Sequence, residues 1–377
     1  MIYEEARREQ SGRDSEWLTA GGNNLRTGAS TAVVKPPLQL VWRSEEAVNP
    51  KGGIVVSNGV AVCAEWSRFS PHSVVHAVDL ADGSEVWSYR MPGMAMGWPA
   101  ISGDNIYLGS TSLAVCLNLS TGAENWKAED EECAGGELQV ALIGCPLCIG
   151  EMVVFSDEKT TGLNAVTGEK IFETWGSHDP RENIGACSDG TALYLPSGRE
   201  VMRVDLSDFT VAARGPTDGR ITAGPTIVDD LLVISTNRGK GKIQALNAQT
   251  LEPVWSFTPE DPLLHAVGMG SACASAAGML YVGALDGNLY ALDSKTGRRV
   301  WKYDLGDSQD SSPIVVDDVV FLNARWKGLC GFDLSTGNIL CEEQFWEGRH
   351  QMGITGLAVS ESLILAGADR LCAFASG

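Results

Sequence analysis

Seven times along its 377 residues the chain repeats one short pattern, and that recurrence limits the possible fold more than any other feature. At residues 289–303 it reads LYALDSKTGRRVWKY: alternating apolar residues, an Asp, a polar turn with Thr-Gly, and a returning segment with Trp. Relatives of it are VHAVDLADGSEVWSY, AVCLNLSTGAENWKA, TGLNAVTGEKIFETW, VMRVDLSDFTVAAR, IQALNAQTLEPVWSF and LCGFDLSTGNILCEE. Their turn-leading residues are Asp79, Asn118, Asn164, Asp205, Asn247, Asp293 and Asp333, spaced 39, 46, 41, 42, 46 and 40 apart. A strand-rich period near 40 to 45 residues is the mark of propeller blades.

Each copy reads as a β-hairpin, and Gly297 marks where the turn needs a positive φ. Another hairpin lies upstream of it, as in MLYVGALDGN, so each copy holds four strands. Four-stranded antiparallel units packed face to face make a propeller. The Trp ending the hairpin suits a wedge between blades, provided its indole N–H finds an acceptor. Residues 354–374 hold three strands, and residues 38–44, LQLVWRS with Trp42, supply the fourth. The expectation is therefore an all-β, eight-bladed propeller closed by strand 38–44, which removes open sheet edges. Residues 17–377 form one propeller domain in this reading, and residues 1–16 a charged N-terminal arm.

The Ala-Leu-Asp…Thr-Gly…Trp pattern and the opening EWLTAGGNNLRTGAS resemble the quinoprotein-type (PQQ-like) repeat family. That repeat occurs in alcohol and glucose dehydrogenases, in the lipoprotein of outer-membrane β-barrel assembly, and in sensor domains of bacterial kinases. The resemblance covers residues 17–377 and implies the fold. It leaves function open, because the matching residues are structural and function resides in grafted sites.

A net charge of −20 opposes binding to nucleic acid or to an anionic membrane. The sequence shows neither a leader pattern nor an apolar run of spanning length, so the expectation is a cytoplasmic, monomeric protein. Ten cysteines fall mostly in strands, as at Cys63, Cys116, Cys330 and Cys372, and read as buried thiols. Cys145 and Cys148 form the one Cys-x-x-Cys; three apart on a strand, they point to opposite faces and read as packing. Small residues at Gly97, Gly144, Ala223, Ser271 and Ser311 fall on the innermost strands, which suggests an open axial channel.

The loops between second and third strands share one face of such a fold. They carry Arg68, Lys159, Arg199, Arg238, Lys240, Lys242, Arg325, Lys327 and Arg370, nine of 28 basic residues. A mouth lined by one sign concentrates an oppositely charged ligand. Arg325-Trp326-Lys327 is its sharpest element, a planar cationic fork beside a stacking surface. Loops entering the innermost strands open on the same face and bring His178, His265 and His350, with Arg220, Trp98 and the methionines Met96, Met269 and Met352; His72 joins them from the other loop set. Histidine titrates near neutrality, so these four are the candidate acid/base groups. No metal ligand set is read.

The preferred function is a binding propeller for an anionic small molecule, peptide or protein partner, with no cofactor. The alternative is a non-quinone enzyme using the same histidines, such as one of specialised biosynthesis. A PQQ-dependent dehydrogenase ranks below both: the resemblance implies a neighbouring-cysteine disulfide over the quinone, and this chain has no adjacent Cys-Cys.

Overall fold

A computed structural model describes residues 16–48, 53–65, 72–93, 97–110, 113–129, 145–156, 159–175, 185–236, 242–259, 272–284, 286–306, 311–346 and 356–377. Every regular element among the described residues is a strand. They form eight sheets, each built on four antiparallel strands that succeed one another from the axis outward. Blade 1 shows the pattern: Val55–Ser57, Val60–Glu65, His72–Asp79 and Glu85–Pro92. The second strand of each blade is buried from end to end or nearly so, whereas the outermost alternates, as in Arg299–Asp304. This is the expected difference between a strand packed on both faces and one with a solvent side.

Blade 8 closes as anticipated. Leu38–Val48 runs antiparallel to Arg370–Ser376, with Leu38 opposite Ser376 and Arg43 opposite Cys372. Arg370 Nη1 donates to the carbonyls of Ser44 (3.1 Å) and Glu45 (2.5 Å). Arg43 Nη2 donates to Phe345 O of blade 7, so closure is also tied laterally.

The repeated pattern now has a physical explanation. The Asx side chain accepts backbone N–H groups two and three residues on, as Asp333 Oδ1 does from Ser335 (3.1 Å) and Thr336 (2.7 Å). The Trp of one blade reaches the turn of the next: Trp42 Nε1 donates to Leu80 O, Trp87 to Leu119 O, Trp126 to Ala165 O, Trp255 to Ser294 O and Trp301 to Leu334 O. Its ring lies flat on the Gly of that turn. At Gly122, with φ +68°, an added Cβ would stand 2.7 Å from the Trp87 ring. The glycine is needed for its left-handed backbone and as a seat.

Three interfaces depart from this rule. In one, blade 7 carries Cys341 in place of Trp, facing blade 8, whose outermost strand comes from the other end of the chain; the other two depart on both sides at once. Blade 3 carries Phe172 in place of Trp, and the blade 4 turn carries Phe209 in place of Gly; their rings stack at 4.4 Å. Blade 4 carries Ala213 in place of Trp, and the blade 5 turn carries Leu251, which packs into the same cluster. Phe209 and Leu251 keep the positive φ of the glycines they replace, 58° each. In both, a side chain from the turn stands where the Trp ring lies elsewhere.

Candidate functional site

The site is built on the innermost strands, whose inner edges face the axis with nothing of their own blade to pair with. Residues 17–30 run round that edge from blade to blade. Trp17 and Val56 exchange both backbone hydrogen bonds, at 2.8 Å each. Ile101 N–H donates to Leu18 O, Ser188 to Asn24 O, Ile227 to Leu25 O, Ser275 to Thr27 O and Val315 to Gly28 O, all at 2.7 to 2.9 Å. In blade 3 the side chains serve instead: Thr19 Oγ1 donates to Pro146 O and Asn24 Nδ2 to Cys148 O. Ala29–Ser30 then pairs parallel with Val315 and Val316 of blade 7. The expected open channel is therefore occupied by the chain's own N-terminal segment, which satisfies edge donors that would otherwise be buried and unpaired.

Three residues back from each of these inner-edge positions, toward the loop face, the blades present one ring of residues at a common level. In seven blades the residue is small, and blade 2 contributes Trp98. Its indole lies directly over Gly53 of blade 1 and reaches Gly356 of blade 8, where any side chain would collide with it. Trp98 N–H also donates to Cys145 Sγ of blade 3 at 3.5 Å. On the opposite side of the ring, Ala272 N–H donates to Ser312 Oγ at 3.0 Å.

The remaining arc is filled by Arg26. Its backbone is left-handed (φ 57°), and its side chain, 4% exposed, rises beside Gly185 and Gly224. Nε donates to Ala186 O at 2.5 Å and Nη2 to Cys145 O at 3.5 Å. Nη1 has no acceptor, and no carboxylate pairs with this guanidinium, among the described residues. The floor of the loop face is thus an aromatic plate beside a buried cation, joined through Cys145. Sequence reasoning placed Trp98 here and missed Arg26, whose signal was the polar GGNNLRTGAS stretch preceding the first long strand.

The other expected residues are distributed more widely. Arg199, Arg220, Arg325, Trp326, Lys327 and Arg370 lie on loops of this face or at strand ends opening on it. Trp326 is 60% exposed. Lys327 Nζ pairs with Glu342 at 3.2 Å, which raises the lysine's pKa, and Lys242 pairs with Asp218 of the adjoining loop. Arg370 is engaged in ring closure, as above. His72 opens the third strand of blade 1, paired with Pro92, two strands out from the innermost. Lys159 begins the strand Lys159–Asn164. Arg68, Arg238, Lys240, His178, His265, His350, Met96, Met269 and Met352 lie outside the described residues, as do Gly144, Ser271 and the arm before residue 16.

Cys145 and Cys148 are both free thiols and diverge, Cys145 toward the loop-face ring and Cys148 into the interface with blade 2. All nine described cysteines are free. Burial pushes the thiols of Cys63, Cys273 and Cys330 up to about 12, holding them neutral. Among the described residues no three His, Cys, Asp or Glu side chains come together in a way that could hold a metal ion. Neither the metal ligands nor the neighbouring cysteine pair that the resemblance implies for a resident quinone are found among the described residues.

Comparison with known proteins sharpens this picture. A family model described as outer membrane protein assembly factor BamB matches residues 34–183, 71–222 and 191–377. The BamB of Yersinia pestis is 26% identical over 222 residues, covering 53% of this chain and 56% of that protein. The aligned stretch thus spans little more than half of that relative's length. Among solved structures, BamB from Moraxella catarrhalis superposes with a TM-score of 0.70 at 15% identity, covering 90% of this chain and 97% of that one. The quinohemoprotein alcohol dehydrogenase of Comamonas testosteroni gives 0.76 at 13% identity, covering 98% and 81%. At such identities these two likenesses establish the fold alone. The curated relatives overturn one expectation. Three of them, from Yersinia pestis, Shewanella oneidensis and Bordetella pertussis, are outer membrane protein assembly factors, so the cytoplasmic location does not stand. The physical reason is that propeller packing is indifferent to compartment, and neither charge nor buried thiols record an address.

Proposed function

The chain belongs to the family of outer membrane protein assembly factor BamB, and on that premise we propose that it is a binding propeller whose loop face docks a protein partner. The observation that carries this reading is the loop Arg325-Trp326-Lys327. A Trp left 60% exposed between two cations, where no other aromatic side chain among the described residues is exposed, is the side chain type that anchors interfaces. The occupied axis makes the propeller one-sided: a partner meets a floored basin, not a pore. Arg199, Arg220 and Arg325 supply positive groups on that face, so an acidic partner segment fits best.

The test places a photo-crosslinking residue at position 326, at 199, and at 166 on the opposite face, where Val166 is 72% exposed. One common partner captured from 326 and 199 but not from 166 supports the reading. Capture from 166 alone refutes it. Truncation at a central anchor costs about 2 kcal/mol or more of binding, so Trp326→Ala should weaken capture by roughly thirtyfold.

A further inference from the structure

Within the loop-face basin, the floor carries a feature that docking of a partner on the surrounding loops does not require. A guanidinium has five N–H donors in a fixed fork. Arg26 uses Nε and one Nη2 hydrogen on carbonyls, and the remaining donors, those of Nη1 foremost, meet no acceptor among the described residues. The side chain is only 4% exposed, and among the described residues no carboxylate pairs with it. A cation held this deep is costly to leave uncompensated, and the geometry that keeps it there is specific: Gly185 and Gly224 flank it, and a Cβ at Gly185 would run into Nη2. Trp98 borders the same place, since its N–H and Nη2 of Arg26 meet the same residue, Cys145.

We propose that Arg26 and Trp98 form a carboxylate-binding site at the axial floor of the loop face: the guanidinium fork receives the carboxylate and the indole carries the ligand's apolar body. A carboxylate is favoured over a phosphate by charge. The floor offers one cation in a protein of net charge −20, enough for a monoanion, whereas a dianion would meet strong repulsion. The carboxylate can belong to a small acid or to a chain end or acidic side chain of the partner. The proposal rests on the loop face being the binding face.

The experiment uses the full chain and isothermal titration calorimetry with sodium benzoate, with benzamide as the neutral isostere and sodium chloride at matched ionic strength as control. N-acetylphenylalanine and its amide form a second arm that represents a chain end. Saturable binding of benzoate or N-acetylphenylalanine, absent for the two amides, is expected. Preference for benzoate points to a small acid, and preference for N-acetylphenylalanine to a partner's terminus. Arg26→Gln should weaken binding by about tenfold or more, the loss of a charge-assisted hydrogen bond. Should Arg26→Gln fail to fold, Gly224→Ala keeps the arginine and sets a methyl group 3.3 Å from Nη1; it should weaken binding comparably. No saturable response to either acid in the unaltered chain, or equal responses with and without these substitutions, overturns the site. Partner crosslinking through position 326 is read separately. Its survival alongside a silent calorimeter removes only the carboxylate site, while its loss alongside intact benzoate binding removes only the docking face.

Discussion

Gly122→Leu combined with Trp87→Ala tests the explanation given for the repeat. Trp87 is 8% exposed, donates to Leu119 O at 2.7 Å, and lies on Gly122. Trp87→Ala alone removes a buried indole and should cost about 3 to 5 kcal/mol. Gly122→Leu alone forces a side chain into a left-handed backbone, about 1 to 2 kcal/mol, and against the indole, a further 1 to 3 kcal/mol or so. Acting independently the two would cost about 5 to 10 kcal/mol, comparable with the whole stability of a typical domain. The pair Ala213 and Leu251 shows that the same interface closes when both are exchanged together. The double variant should therefore recover about 1 to 3 kcal/mol relative to additivity. Urea denaturation followed by far-ultraviolet circular dichroism, with all four chains analysed at a common slope, reads this coupling. Additivity to within about 0.5 kcal/mol would refute the claim that the glycine is a seat for the tryptophan.

Three further outcomes are expected. Hydrogen bonds from Thr336 and Ser335 hold the Asp333 carboxyl at about 2, below its ordinary 3.8, and Asp205 and Asp293 are lowered by the same kind of turn. A depressed folded-state pKa stabilises above the unfolded value and ceases to do so as pH falls through the folded one, so Tm should decline between pH 4 and about pH 2, and less steeply in Asp333→Asn. Removing residues 1–30 strips acceptors from the inner-edge N–H groups of Val56, Ile101, Ser188, Ile227, Ser275 and Val315, and should lower Tm sharply and speed hydrogen exchange at those amides; unchanged exchange there would contradict the edge-pairing account. A short maleimide pulse at pH 8 should leave Cys63, Cys273 and Cys330 unmodified in the folded chain and label them in urea, because burial keeps those thiols neutral and out of reach; labelling of these three in the folded chain would contradict that.

The repeat could be read from the chain because its causes are local. An Asx that caps its own turn, a glycine with positive φ and a tryptophan at fixed distance lie within ten residues of one another, and seven copies at one period leave a ring as the way to bury the blade faces. Closure by Leu38–Val48 was legible for a similar reason, since three strands at one end and one at the other complete a blade. Which loops share a face was legible too, because strand order fixes it.

What occupies the axis was decided by tertiary structure. Residues 17–30 have no alternation or repeat to announce a strand, and their partners run from blade 1 to blade 7, so only the assembled ring creates the inner edges that recruit them. The meaning of the small residues on the innermost strands changed with that: they make room for Trp98 and Arg26, not for a channel. Arg26 itself is one arginine in a polar stretch until the ring closes around it. Burial and an incomplete set of acceptors are properties of position relative to distant backbone, and no local pattern encodes them.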